Sequence, residues 1–353
     1  MTKNRLVVAL TLILLGSFLT DLRAQDKHFS QFFSSPLTLN PALTGAFDGK
    51  LRLAGIYRDQ WQPALQESYT TFASSIDLRF DAWGYGSNYK DAFAVGVIFY
   101  TDRAPGVDFS TNQMSISTAF HKALDLKSTQ YLSLGLSAGI AQRNINYSNL
   151  EFSDQFDGST GYGGLSAEDL PENNYSFVDF AAGVNYSYAP KYRTSIYAGA
   201  AVYHFLQPSV TFYDLDNNQF EDSRLFMKYS TYLAFSFPLA DRIALHPRVN
   251  AHLQGPHFTL NVGTNVRFLL SQYSGTAIHI GSWVRPVREQ ANPLEFDILV
   301  GMFGLEYKNV LLGFSYDIGL SQLSSSLPNR TAFEISLAYL GNYNNETVLC
   351  PTF

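Results

Sequence analysis

The sequence predicts an all-β fold, a transmembrane antiparallel outer-membrane β-barrel of about 14 strands. Three observations predict it. First, apolar and polar residues alternate over long stretches. Leu132, Leu134, Leu136, Ala138 and Ile140 share one face, and Ser133, Gly135, Ser137 and Gly139 share the other. Phe258, Leu260, Val262, Val266 and Phe268 likewise oppose Thr259, Asn261, Gly263, Asn265 and Arg267. Second, these segments reach roughly ten residues, which suits a tilted membrane strand; soluble strands average about five or six. Third, the polar faces are rich in Gly and Ser and poor in Lys and Glu. A sheet facing water would carry more charge, so these faces are read as a lumen lining.

Composition agrees. Of 353 residues, 15% are aromatic and only 15% are charged, against a usual charged fraction of about 25%. Hydrophobic residues make up 46%, yet the mean hydropathy is −0.06. Apolar residues are therefore interspersed rather than gathered into runs, and no stretch after Gln25 is long and apolar enough for a membrane helix. The net charge is −6, and the absence of a basic patch argues against nucleic acid as a partner. Cys350 is the single cysteine, so no intrachain disulfide is possible.

The elements follow in order. Residues 1–25 read as a signal peptide: Lys3 and Arg5 are the positive region, Leu6 to Leu19 the apolar region, and Leu22-Arg23-Ala24 leads to a cut before Gln25. Removing residues 1–25 takes away three basic residues and one acidic residue, which moves the net charge from −6 to −8. Residues 26–50 form a leading segment, placed in the periplasm or the lumen. Residues 51–341 form the barrel, with strands expected at 51–61, 68–80, 91–102, 110–121, 129–147, 176–189, 193–206, 225–238, 243–253, 257–269, 276–287, 295–307, 310–319 and 331–341. An even count is what single-chain bacterial barrels show. With a periplasmic N-terminus, the periplasmic links are short, whereas the opposite links include 148–175 and 207–224. That asymmetry is typical of such barrels. Aromatics near strand ends (Tyr57, Trp61, Phe99, Tyr100, Tyr186, Tyr188, Trp283 and Tyr339) read as interfacial girdles. Residues 342–353 are a C-terminal tail.

The leading segment carries the most specific pattern. Asp26-Lys27-His28-Phe29-Ser30-Gln31-Phe32 is followed by Pro36-Leu37-Thr38-Leu39-Asn40-Pro41-Ala42-Leu43-Thr44-Gly45. Pro36 and Pro41 restrict the backbone and disfavour helix in the residue before each. Asn40 before Pro41 suits a turn, and Gly45 can supply a positive φ at the junction into the first strand. Phe29, Phe32 and Phe33 are exposed unless they pack against something. The segment either lines or plugs the lumen, docks a periplasmic partner, or simply closes the lower end of the barrel.

This segment closely resembles the N-terminal signature of the PorP/SprF family, outer-membrane barrels of type IX secretion and gliding motility in Bacteroidota. The ending Cys350-Pro351-Thr352-Phe353 resembles the family's tail, with its Cys-Pro pair and terminal aromatic. The resemblance implies a non-enzymatic accessory of a large secreted adhesin. Such a protein supports export through the type IX translocon, or holds its client at the cell surface by the client's C-terminal domain. It also implies contact with periplasmic ring or motor components and with outer-membrane lipid. The candidate docking residues are Phe29, Ser30, Gln31, Phe32, Pro36, Leu39, Asn40, Pro41, Ala42 and Gly45, with Cys350, Pro351 and Phe353 in the tail.

Other chemistries leave weak marks. None of the seven histidines sits in a nucleophile motif, and no Cys/His metal spacing appears, so no enzyme activity and no cofactor are expected. Asp214–Asn218 offers oxygen ligands but lacks the glycine and distal glutamate of a calcium loop, and reads as an exposed loop tip. His279 alternates onto the lumen face with Arg285, as a polar interior would require. The rival function is a channel for small hydrophobic molecules, similar to fatty-acid transport barrels, in which an Asn-Pro-Ala element also occurs.

Overall fold

A computed structural model describes residues 28–61, 68–82, 90–106, 108–156, 158, 161, 166–168, 170–191, 194–212, 224–288, 295–320 and 331–341. The strands are β1 Leu51–Gln60, β2 Tyr69–Asp81, β3 Ala92–Ala104, β4 Phe109–Ala123, β5 Gln130–Asn144, β6 Asn174–Lys191 and β7 Thr194–Tyr203. They continue as β8 Lys228–Ala240, β9 Ile243–Gln254, β10 His257–Ser271, β11 Thr276–Arg288, β12 Glu295–Tyr307, β13 Val310–Gly319 and β14 Thr331–Leu340. Every strand pairs antiparallel with its sequence neighbour, and β1 pairs with β14, so the sheet closes into a 14-stranded barrel without edges. At the end where β1 begins, the links are 82–91, 124–129, 192–193, 241–242, 272–275 and 308–309; the two longest, 145–173 and 204–227, lie at the other end. The short turns mark the periplasmic end.

Alternation fixes which side chains face outward. Leu132, Leu134, Leu136 and Ile140 on β5, Met114 and Ile116 on β4, and Phe303, Phe314, Ile335 and Leu337 near the seam are all exposed on the outer wall. No helix among the described residues is long and apolar enough to cross a membrane; the strands do so instead. Leu134→Arg, which places a cation on the lipid side of β5, is expected to cost about 2–4 kcal/mol near mid-depth, read as a lower unfolding midpoint from lipid vesicles.

Two strand prolines fall where the ladder tolerates a missing N–H. Pro286 sits at the register shift between β11 and β12, and Pro238 at the shift between β8 and β9.

Some expectations about side-chain direction need correction. Tyr57, Phe99 and Tyr339 face outward, but Trp283 is 2% exposed and Tyr100 is 4% exposed. Both point into the lumen, because they share strand parity with other inward residues. The lumen is also not uniformly polar. Ile298, Val300 and Met302 of β12, with Tyr197, Tyr232 and Trp283, form an apolar strip that packs against the leading segment. The protein's main apolar core therefore lies inside the barrel.

Candidate functional site

The core exists because residues 29–47 are folded into the lumen. Extended backbone at Asn40 (φ −162°, ψ 127°) separates two short helical turns, Pro36–Leu39 and Pro41–Leu43, each beginning with proline. A further turn covers Phe32–Ser34. Proline suits these first positions because its fixed φ matches a helix and no N–H is needed there. These short turns keep the segment compact enough to fit between the walls. The segment was expected in the periplasm or the lumen; it is lumenal. Its N-terminal part meets the outer halves of β1, β11, β13 and β14, and its C-terminal part descends to the periplasmic start of β1.

Four contacts hold it along its length. At the top, Ser30 and Gln31 meet a buried charge cluster. The two backbone N–H groups donate to the two oxygens of Glu334, at 2.7 and 2.8 Å. Ser30 Oγ donates to Asp317 at 2.7 Å and accepts from Arg58 at 3.0 Å and from Arg285. The Gln31 amide donates to Ser315 Oγ at 3.1 Å and accepts from Ser336 Oγ at 2.8 Å. Behind these, Arg58 pairs with Asp317 at 2.9 Å and with Glu334. Two guanidinium groups thus balance two carboxylates, which is the condition for keeping charges buried.

Next, Phe33 stacks on Trp283 with centroids 5.6 Å apart, and the Arg248 guanidinium lies 4.2 Å from the Phe33 ring centre. Phe32, Leu39 and Leu43 complete this apolar contact, while Phe29 packs with Ile56, Ala73 and Tyr100. Phe29, Phe32 and Phe33, which the sequence left exposed unless they packed against something, are therefore the segment's packing side.

In the middle, Asn40 is fully buried. Its Oδ1 accepts from Ala42 N–H at 2.8 Å and caps the following turn. Its Nδ2 donates to the carbonyls of Val184 and Ala200, at 2.9 and 3.2 Å. One amide side chain thereby shapes the segment and ties it to β6 and β7. Asn40→Ala is expected to weaken the segment by about 1–2 kcal/mol while leaving the strands in place. Limited proteolysis should then cut within residues 28–48 faster, with unchanged far-ultraviolet circular dichroism.

At the periplasmic end, Asp77 accepts from Gly45 N–H at 2.7 Å and pairs with Arg52, which also donates to the Leu43 carbonyl at 2.9 Å. His121 Nε2 meets the Thr44 carbonyl at 2.8 Å and its Nδ1 meets Ser133 Oγ at 2.7 Å. A carbonyl only accepts, so Nε2 carries the proton and Nδ1 receives the serine hydroxyl. Gly45 adopts φ +69°, and a Cβ there would lie 2.2 Å from Ala94 Cβ; both facts require glycine. Below this, burial raises the Asp48 carboxyl above its ordinary range, against the opposing effect of Arg79.

Between the described residues of segment and wall, cavities of about 60 and 40 Å³ remain. The larger is bordered by Phe33, Arg52 and Arg248 and the smaller by Thr38, Asp179 and His204. Asp179 accepts from His204 Nδ1 at 2.9 Å or pairs with its charged form.

The expected docking residues Phe29, Ser30, Gln31, Phe32, Pro36, Leu39, Asn40, Pro41, Ala42 and Gly45 thus all lie in the lumen, brought together as one plug. Cys350, Pro351, Phe353 and the Asp214–Asn218 stretch lie outside the described residues. Sequence reasoning did not single out Arg52, Arg58, Asp77, Asp317 and Glu334. Their signal was present: each is a charge at an inward-facing position inside an alternating strand, where a solvated surface charge would not sit.

No curated protein matches the chain. Among solved structures, it is similar to the Pseudomonas putida toluene transporter TodX, at 12% identity and a TM-score of 0.47, over 92% of this chain and 100% of that one. It is similar to a Pseudomonas aeruginosa FadL homologue at 11% identity and a TM-score of 0.49, over 85% and 92%. It is also similar to CdiB from Escherichia coli at 8% identity and a TM-score of 0.44, over 81% and 63%. The family described as type IX secretion system membrane protein PorP/SprF matches residues 22–339, from ahead of the plug almost to the end of β14. The chain belongs to the PorP/SprF family of type IX secretion system membrane proteins.

Proposed function

We propose that this outer-membrane barrel is a non-enzymatic accessory of type IX secretion that serves one large, adhesin-like secreted partner. It supports the partner's export, its attachment at the surface through the partner's C-terminal domain, or both. The observation that carries this reading is the family match across nearly the whole barrel, with its signature segment folded into the lumen. A filled lumen suits a protein that docks or gates a client better than one that conducts small solutes continuously. Translocon subunits and periplasmic ring or motor components are the machinery contacts that fit, and a cleaved signal peptide at residues 1–25 is the export route.

Deletion of the gene followed by surface proteomics tests the proposal. The expected result is loss of one large surface protein with uptake of small hydrophobic solutes unchanged. An unaltered surface proteome would overturn it. Saturable uptake of a hydrophobic solute by liposomes carrying the purified barrel would favour the channel alternative.

A further inference from the structure

The contacts of Ser30 and Gln31 differ in kind from the rest of the plug. The two oxygens of Glu334 receive two successive backbone N–H groups, which is recognition of main chain, independent of side-chain identity. Side chains are read separately: a small hydroxyl by Asp317, Arg58 and Arg285, and a carboxamide by Ser315 and Ser336. The carboxamide nitrogen also donates to the Glu334 carbonyl at 3.3 Å; a carbonyl only accepts, so a carboxylate in place of the carboxamide would lose that partner. Within the cluster, Arg58 and Arg285 offset Asp317 and Glu334 without the segment, so a neutral ligand leaves the charge balance undisturbed. The recognising groups belong to β1, β11, β13 and β14, and those of β11, β13 and β14 lie far along the sequence from the residues they hold.

The segment itself is joined to the wall covalently only through its periplasmic end, where Gly49 adopts φ +143° just before β1. Movement about this junction would carry the whole plug toward the periplasm and leave the site open to a chain arriving from that side.

We infer that the inner wall at Arg58, Arg285, Ser315, Asp317, Glu334 and Ser336 is a peptide-recognition site, held in this state by the chain's own Ser30-Gln31. Its ligand class is a neutral peptide, turned as Gln31 is (φ −85°, ψ 56°) so that two successive N–H groups meet one carboxylate, with a small hydroxyl residue followed by a carboxamide residue, supplied by the exported partner when the plug withdraws. The identity of that supplier rests on the secretion-accessory reading; peptide recognition by the wall does not.

The test uses the full chain carrying Ser30→Ala and Gln31→Ala, which weakens the internal occupant, and a fluorescent synthetic peptide of the natural sequence 26–45. Saturable binding at least ten-fold tighter than to the wild-type barrel is expected. Adding Glu334→Gln to the variant should reduce that binding ten-fold or more, and a peptide with both positions changed to alanine should compete at least ten-fold more weakly than the natural one. No binding to the folded variant, or equal binding of the alanine peptide, would overturn the inference. Should the variant not fold, amide hydrogen exchange at Ser30 and Gln31 of the wild-type protein gives the answer: excess natural peptide should accelerate it several-fold, and an unchanged rate counts against the site. Failure here, with one large surface protein still lost on deletion of the gene, would remove the peptide site and leave the accessory role standing.

Discussion

Arg58→Ala is expected to destabilise the folded protein by about 3–5 kcal/mol, the cost of stranding buried charges when one partner is removed. Arg58 is 2% exposed and pairs with both Asp317 and Glu334. It stands on β1, while its partners stand on β13 and β14, so the loss falls on the barrel's closing seam as well as on the plug. Ser30 loses one of its donors in the same step. Two readouts separate these effects. The unfolding midpoint in micelles should drop, and conductance in planar bilayers should rise above the wild-type baseline as the plug leaves. Arg58→Lys keeps the charge but not the fork that spans two carboxylates, and should fall between wild type and alanine in both.

Gly183→Val is expected to expel the middle of the plug while sparing the strands. A Cβ at Gly183 would lie 2.0 Å from Asn40 Oδ1. The barrel backbone cannot yield easily, since Gly183 pairs with Gly135 on one side and Ala201 on the other. Asn40 must therefore move, which forfeits its bonds to Val184, Ala200 and Ala42 together. Overpacking alone costs about 1–3 kcal/mol, and each buried group left unbonded adds about 1–3 kcal/mol. The expected signature is a large gain in proteolysis within residues 28–48 with a normal heat-shifted band on electrophoresis.

Much of the barrel was legible because alternation is a local property. Leu132 to Ile140 announces its two faces without help from any other strand. Strand ends were less legible because side chains outside the pattern decide them. The fifth strand was expected to reach residue 147 but stops at Asn144, since Asn146 accepts the Ser148 N–H and starts a one-turn helix. The seventh was expected to reach 206 but stops at Tyr203, where His204 adopts φ +57°. Trp283 was misread for a different reason. Its residue type suggested a girdle, although its parity with His279 and Arg285 pointed inward; parity was the better guide. The apolar strip of the lumen was visible only indirectly. Ile298, Val300 and Met302 alternate with Leu299, Gly301 and Phe303, so β12 is apolar on both faces, as a strand covered on both sides must be. The plug's path was the least legible part. Its partners lie as far as about 300 positions away in sequence, and nothing local in Ser30-Gln31 predicts Glu334.

Thiol accessibility at position 39 decides whether the segment occupies the lumen. In a Cys350→Ser background, Leu39→Cys places a thiol where the native side chain is 4% exposed, and Tyr273→Cys places one on a fully exposed periplasmic turn. A membrane-impermeant maleimide applied to outer-membrane vesicles opened to both faces should label position 273 at once and position 39 only after unfolding. Labelling of both at similar rates in the folded protein would contradict a lumen filled by its own N-terminal segment.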